Sequence, residues 1–183
     1  MNHPTTTEPE KISRARSLAD ARDWTALLEF AKAWSAESAP SAKAFFFQGV
    51  ALGGLGRFLE ATTAYRRALA LDAQDFKAWN NLGQILFEQA GQVEEGFGCM
   101  EKILAIDPQN KLAWANLASM NGQLGRTEEA LACAERALAI DPTMVEAQLH
   151  RARAAQLLGR TEVLRAASGA LAQVAAENFR RSE

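Results

Sequence analysis

Two asparagines, Asn81 and Asn116, stand 35 residues apart and carry the most informative chemistry in the chain. A carboxamide donates and accepts hydrogen bonds at once, so it matches the N–H and C=O groups of an extended peptide backbone. Asparagines repeated at a regular interval would therefore hold main chain with little regard to its side chains. Two alternatives remain open: a solvated polar face, or an Asn that bonds across to a neighbouring helix.

The other reactive residue types predict neither a catalytic nor a metal site. The only histidines, His3 and His150, lack carboxylates at metal-ligand spacing, and no Ser, Cys or Lys stands in an activating arrangement. The glycine-rich run 49–56 lacks the Lys-Ser/Thr of a phosphate-binding loop and follows no strand, so helix packing and a turn explain it better. We expect no enzymatic activity, no cofactor and no metal.

Composition excludes several classes of partner. The formal net charge is -2, whereas a phosphate-binding domain is normally clearly basic. No stretch approaches the roughly 18 apolar residues of a membrane span, and we expect no secretory signal, because the N-terminus has neither a basic start nor an apolar segment. With Cys99 and Cys133 as its only cysteines, the chain is expected to be cytoplasmic.

The chain repeats itself with a period of about 34 residues. Gly56, Gly91, Gly125 and Gly159 are spaced by 35, 34 and 34 residues, and apolar residues on both sides recur at intervals of three, four and seven. Those intervals place them on one side of a helix. The sequence thus predicts two helices per period. Equivalent positions of stacked pairs lie on the order of 10 Å apart, which separates the two cysteines beyond disulfide reach.

The pattern resembles the tetratricopeptide-repeat (TPR) family, whose signature combines an aromatic, Leu-Gly, Ala and Pro at this period. Unit 111–144 carries it most completely, at Trp114, Leu117, Ala118, Gly125, Ala130, Ala137 and Pro142. In unit 76–110, Gly96 replaces the usual Ala, and Ala73 before it replaces the usual Pro. The resemblance implies an all-α fold, a right-handed α-solenoid of antiparallel helix pairs.

Counting outward from the clear units predicts five repeats and ten helices. The predicted segments are a disordered N-terminus 1–7, a degenerate N-terminal capping repeat 8–41, TPR units 42–75, 76–110 and 111–144, a degenerate C-terminal capping repeat 145–178, and a tail 179–183. In the last repeat, Gln148 and Arg151 stand where Trp and Leu are usual. Trp79 and Trp114 are expected to be buried between paired helices.

In this family, the first helix of each unit lines a concave groove. The residues predicted to face that groove are Phe46, Phe47, Asn80, Asn81, Gln84, Phe87, Asn116, Ser119, His150 and Arg153. The predicted ligand is an extended peptide, with an apolar side chain near the phenylalanines and an acidic group near His150 and Arg153. The three phenylalanines admit a second interpretation, in which they pack beneath the first repeat.

The predicted function is that of a cytoplasmic adaptor or scaffold that binds an extended segment of another protein. Self-association into a homo-oligomer is the second hypothesis, and a small secretion-type chaperone is the third. Neither nucleic acid nor membrane insertion is expected.

Overall fold

The computed structural model describes residues 7–37, 39 and 41–182, and these residues form ten α-helices and no strand. The helices are α1 Glu8–Asp20, α2 Trp24–Ser35, α3 Ala42–Gly54, α4 Phe58–Leu71, α5 Phe76–Glu88, α6 Val93–Ile106, α7 Lys111–Gln123, α8 Thr127–Ile140, α9 Val145–Leu157 and α10 Thr161–Ser182. The predicted all-α, TPR-type solenoid fold is confirmed. Residues 179–182 of the predicted tail belong to α10, and residues 1–6 of the predicted disordered segment lie outside the described residues.

The chain divides into two compact units, Met1–Cys99 and Met100–Glu183. In the first unit, α2 packs on α3, α3 on α4 and α4 on α5, while α1 contacts both α2 and α3. In the second unit, α7 packs on α8, α8 on α9 and α9 on α10, and α7 also contacts α9. Contact between the first helices of successive repeats, α1 with α3 and α7 with α9, is the arrangement expected of stacked helix pairs.

The turn inside each helix pair needs one residue in the left-handed region. Four glycines supply it, with φ between 65° and 72° at Gly56, Gly91, Gly125 and Gly159. In repeat 8–41 the same position, 34 residues before Gly56, holds Arg22 with φ 55°. The Asp23 N–H donates to the Leu18 carbonyl at 3.0 Å, as Arg57 does to Leu52 at 2.8 Å. The degenerate repeat therefore keeps the turn of the others although it has lost the glycine.

Polar side chains fix where the first helices begin. Ser41, Asp75 and Asn110 each accept a hydrogen bond from a backbone N–H in the first turn of α3, α5 and α7, at 3.3, 3.1 and 3.1 Å. Such caps satisfy N–H groups that have no partner within the helix. At the start of α9 the same place is taken by Met144, which is buried and provides no side-chain cap.

Trp79 and Trp114 are half-buried, which corrects the prediction that they lie buried between paired helices. The residues fully buried there are the alanines just before them, Ala78 and Ala113. Each indole N–H donates to the carbonyl six residues earlier, from Trp79 to Ala73 at 2.9 Å and from Trp114 to Pro108 at 3.0 Å. A tryptophan needs apolar surface for its ring and a hydrogen-bond acceptor for its N–H. The acceptor here is a carbonyl in the turn before the helix.

Gln148 makes the corresponding bond in the last repeat. Its side-chain N–H donates to the Pro142 carbonyl at 3.0 Å, again six residues earlier, and the residue is only 4% exposed. The polar substitution therefore retains the hydrogen bond of the tryptophan that it replaces.

Candidate functional site

Phe46 and Phe47 line a cavity of about 450 Å³ in the first unit. Phe47 is 6% exposed and stacks on Trp34 of α2, with ring centroids 6.4 Å apart. Phe46 is half-buried and lies 5.3 Å from the Phe47 ring and 5.9 Å from the Tyr65 ring. Phe47 therefore packs against the first repeat, as the second interpretation of the phenylalanines expects, while Phe46 forms part of the accessible cavity wall.

Phe87 lies elsewhere in the first unit and does not line that cavity. It is buried on α5, and its ring meets the edge of Phe97 on α6 at a centroid distance of 6.0 Å. A Cβ atom placed on Gly96 would lie 2.9 Å from the Phe87 Cβ and 3.0 Å from the Gly83 carbonyl oxygen. The close approach of α5 explains why glycine replaces the usual Ala at position 96.

Asn81 is committed in part to the fold. Its Nδ2 donates to the Tyr65 hydroxyl at 3.1 Å, from α5 across to α4. Tyr65 is 2% exposed, and burial raises its pKa above the ordinary value, so the hydroxyl stays neutral. A buried hydroxyl needs a hydrogen-bond partner, and Asn81 provides it. The carboxamide oxygen of Asn81 accepts no hydrogen bond from the described residues.

The other predicted amides are distributed over both units. Asn80 and Gln84 lie on α5 in the first unit, and Asn116 lies on α7 in the second. Gln84 is exposed, whereas Asn80 and Asn116 are half-buried and each makes an interaction within the chain. Two described cavities contain other predicted site residues. None of these three amides lines either cavity.

Ser119, His150 and Arg153 converge on one cavity of about 260 Å³ in the second unit. Ser119 comes from α7, and the other two come from successive turns of α9. The remaining wall includes Thr127 at the start of α8 and Leu157 at the end of α9. Sequence reasoning missed Leu157, although its position one turn after Arg153 places it on the same face of the helix.

The electrostatics of this cavity favour an anion. Burial, and then the positive charge of Arg153, lower the pKa of His150 below 6.5, while Glu146 opposes the shift. Near neutral pH, Arg153 therefore supplies the positive charge and His150 a neutral imidazole. Leu157 is 67% exposed and Leu149, on the same helix, is 52% exposed. A cation, a hydroxyl and apolar surface are the groups that would receive a carboxylate with an apolar neighbour.

The described residues contain neither a cluster of metal ligands nor a thiol with a lowered pKa. Among residues 7–37, 39 and 41–182, no three His, Cys, Asp or Glu side chains are grouped so as to hold a metal ion. His3 lies outside those residues. Cys99 and Cys133 are free thiols, and burial raises the pKa of Cys99 to about 11 and that of Cys133 above 9.0. Both thiols are therefore protonated, and weakly nucleophilic, at neutral pH.

Among the described helices, none combines the length and the apolar character that a bilayer crossing requires.

Two family models, both described as tetratricopeptide repeat, match residues 48–111 and 112–144, which together make up more than half of the 183 residues. No curated protein sequence matches the chain.

Several solved structures of MamA are similar to this chain. A MamA RS-1 ArsTM double mutant has a TM-score of 0.74 at 17% identity, covering 95% of this chain and 98% of its own. A crystal structure of MamA has a TM-score of 0.73 at 14% identity, covering 92% and 96%. MamA 41-end from Desulfovibrio magneticus RS-1 has a TM-score of 0.68 at 18% identity, covering 98% and 99%. At these identities the likeness establishes the fold.

Proposed function

Because this chain belongs to the tetratricopeptide-repeat family of protein-interaction scaffolds, we propose that it acts as an adaptor that binds an extended segment of a partner polypeptide. The binding surface in this proposal is formed by the first helices of the repeats. Each unit contributes a separate subsite.

The observation that carries the proposal is the cavity of Ser119, His150 and Arg153. These three residues come from two different repeats and were selected from the sequence only by their repeat positions. They nevertheless line one space of about 260 Å³. In the proposed complex, an acidic side chain of the partner pairs with Arg153, and its apolar neighbour covers Leu157.

The first unit contributes apolar and amide groups. Phe46 would contact an apolar side chain of the partner, since it lines the larger cavity. Asn81 would contribute its carboxamide oxygen to a backbone N–H, because its Nδ2 is already bonded to Tyr65. This contact differs from the prediction made from the sequence, in which the carboxamide both donates a hydrogen bond to the peptide backbone and accepts one from it.

The direct test is capture of a partner from extract of the native cell by wild type and by Arg153→Glu. The charge reversal should weaken capture, because an acidic side chain then meets a like charge. Arg136→Glu is the matched control, since Arg136 is exposed on α8 and does not line the cavity. Equal capture by both variants would move the binding site away from this cavity.

Self-association is the competing hypothesis, because the exposed leucines of α9 would also suit a second copy. Light scattering over a range of concentrations separates the two: a constant monomer mass removes self-assembly, and a rising mass that Arg153→Glu abolishes would favour it. The predicted cytoplasmic setting and the predicted lack of catalysis stay predictions.

A further inference from the structure

The cavity beside Phe46 shares a wall with a second cavity along α1. The first has a volume of about 450 Å³ and the second about 380 Å³, and Ile12 and Arg16 line both. The second is otherwise lined by Pro9, Ser13, Ser17 and Asp20, which lie on one face of α1 at helical spacing. All these residues belong to the first unit.

The larger cavity exists because α1 brings little bulk to its packing. Only Ala15 is buried in this helix, whereas α3 buries Phe47 and Leu52. On the cavity side, α1 presents a half-buried Ile12 and an exposed Arg16. The space between α1 and α3 is within the size range of pockets that receive a ligand, and its aromatic wall suits an apolar side chain.

The acidic residues of this cavity are already occupied within the fold. Asp75 accepts the backbone N–H groups of Lys77 and Ala78 as the cap of α5, and it pairs with Lys43 at 2.6 Å. Asp72 accepts the N–H of Gln74 and lies 3.9 Å from the same lysine. Lys43 therefore offsets one of the two carboxylate charges, and both carboxylates also accept hydrogen bonds from backbone N–H groups.

Two cations on the same wall have no such compensation. Arg16 and Lys77 line the larger cavity, and neither forms an ion pair within the described residues. The one further acid, Asp20, lines the smaller cavity and not the larger. The lining of the larger cavity thus holds three cations and two carboxylates, which leaves a net charge of +1 beside the aromatic wall.

We propose, on the basis of the proposed function, that this pair of cavities binds an acidic segment of the partner that carries a bulky apolar residue. The apolar side chain occupies the larger cavity against Phe46. Carboxylates within the next few residues pair with Arg16 and with Lys77, and the segment continues along α1 through the smaller cavity. Two charged contacts of this kind make the site selective for acidic over basic segments.

The test uses a phage-displayed library of random dodecapeptides, selected on the full chain. Enriched sequences should carry Asp or Glu within a few residues of Leu, Phe, Tyr or Trp. The best peptide is then synthesised with a fluorescein label, and its Kd is measured by fluorescence anisotropy.

Arg16→Glu and Lys77→Glu should each raise that Kd about three- to tenfold, in line with rim charges that contact a ligand. Arg136→Glu makes the same charge change on α8 and should leave it within about twofold. A peptide whose acidic residues are replaced by Lys should regain affinity for Arg16→Glu. Circular dichroism checks that the variants keep their helices, which is expected because neither cation has an ion-pair partner to lose.

Three results would overturn the inference while leaving the proposed function standing. The first is that the enriched peptides are neutral or basic. The second is that the binding of an acidic peptide is unchanged by Arg16→Glu and by Lys77→Glu. The third is that this binding is lost only in Arg153→Glu. If no peptide is enriched on the folded chain, the proposed function falls, and this inference falls with it.

Discussion

The Nδ2 atom of Asn81 lies 3.1 Å from the hydroxyl of Tyr65, and this bond ties the first helix of one repeat to the second helix of the repeat before it. The tyrosine is inaccessible to water, so the carboxamide is its means of satisfying the hydroxyl. An asparagine selected from the sequence as a ligand-binding group thus also stabilises the junction of α4 and α5.

Asn81→Ala should consequently lower the free energy of unfolding by about 1–3 kcal/mol, because it leaves the buried hydroxyl without a partner. Tyr65→Phe should cost less, about 0.5–1.5 kcal/mol, and the double variant should cost less than the sum of the two. Urea unfolding of the four proteins measures this coupling. Additive losses would mean that the hydrogen bond does not contribute.

Arg22→Gly is expected to raise the free energy of unfolding by about 0.5–1 kcal/mol, since the left-handed conformation is strained for a residue with a Cβ atom. The control is Arg22→Ala, which removes the same side chain and retains the strain. Thermal unfolding of both variants is the measurement. A gain of equal size in the alanine variant would assign the effect to the guanidinium instead of the backbone.

Two glycines of α6 should respond oppositely to the same substitution. Gly96→Ala should cost about 1–3 kcal/mol, because the new methyl group would crowd Phe87 and the Gly83 carbonyl. At Gly98 nothing lies within 4 Å of the added Cβ, so Gly98→Ala should stabilise the helix by about 0.5–1 kcal/mol. Chemical denaturation of the pair separates packing from helix propensity, and a stabilising Gly96→Ala would contradict the close approach of α5.

The titration of His150 makes stability depend on pH. Its pKa in the folded chain lies below the ordinary 6.5, so the unfolded chain binds more protons as the pH falls from about 6.5. The free energy of unfolding should therefore decrease on acidification through this range. His150→Gln should flatten that part of the curve, which urea unfolding between pH 5 and 7.5 can detect.

The same imidazole reports on binding. An acidic peptide in the cavity of Ser119 and Arg153 should raise the pKa of His150, because it places a negative charge near the ring. NMR titration of the ring protons with and without peptide measures the change. An unaltered pKa in the presence of bound peptide would place that peptide elsewhere.

The helices were predictable from the sequence because the same residue pattern recurs in each repeat. Gly125 and Pro142 mark the turns of a unit. The spacing of the apolar residues between them indicates which side of each helix faces the core. The orientation of Trp114 was not predictable in this way. Periodicity assigns a side chain to a face of the helix, but it does not reveal that the indole N–H donates a hydrogen bond to the carbonyl of Pro108.

The candidate site shows the same division. Ser119, His150 and Arg153 were brought together by repeat position alone, since equivalent residues of stacked helices become neighbours. Arg16 was not among the predicted site residues because the repeat to which it belongs is degenerate, and its role in the proposed site is argued from the pairing of Lys43 with Asp75. Pairing between residues 32 positions apart is a tertiary fact that no local pattern contains.

Gln148 also shows which part of a side chain the turn between repeats requires. Its bond to Pro142 repeats the bond of Trp114 to Pro108, although the two side chains share neither an aromatic ring nor size. The feature common to both places is thus a donor that reaches the turn carbonyl, and the aromatic ring is dispensable for that bond. In this chain, a glutamine six residues after the turn carbonyl therefore marks the same repeat position as the two tryptophans do.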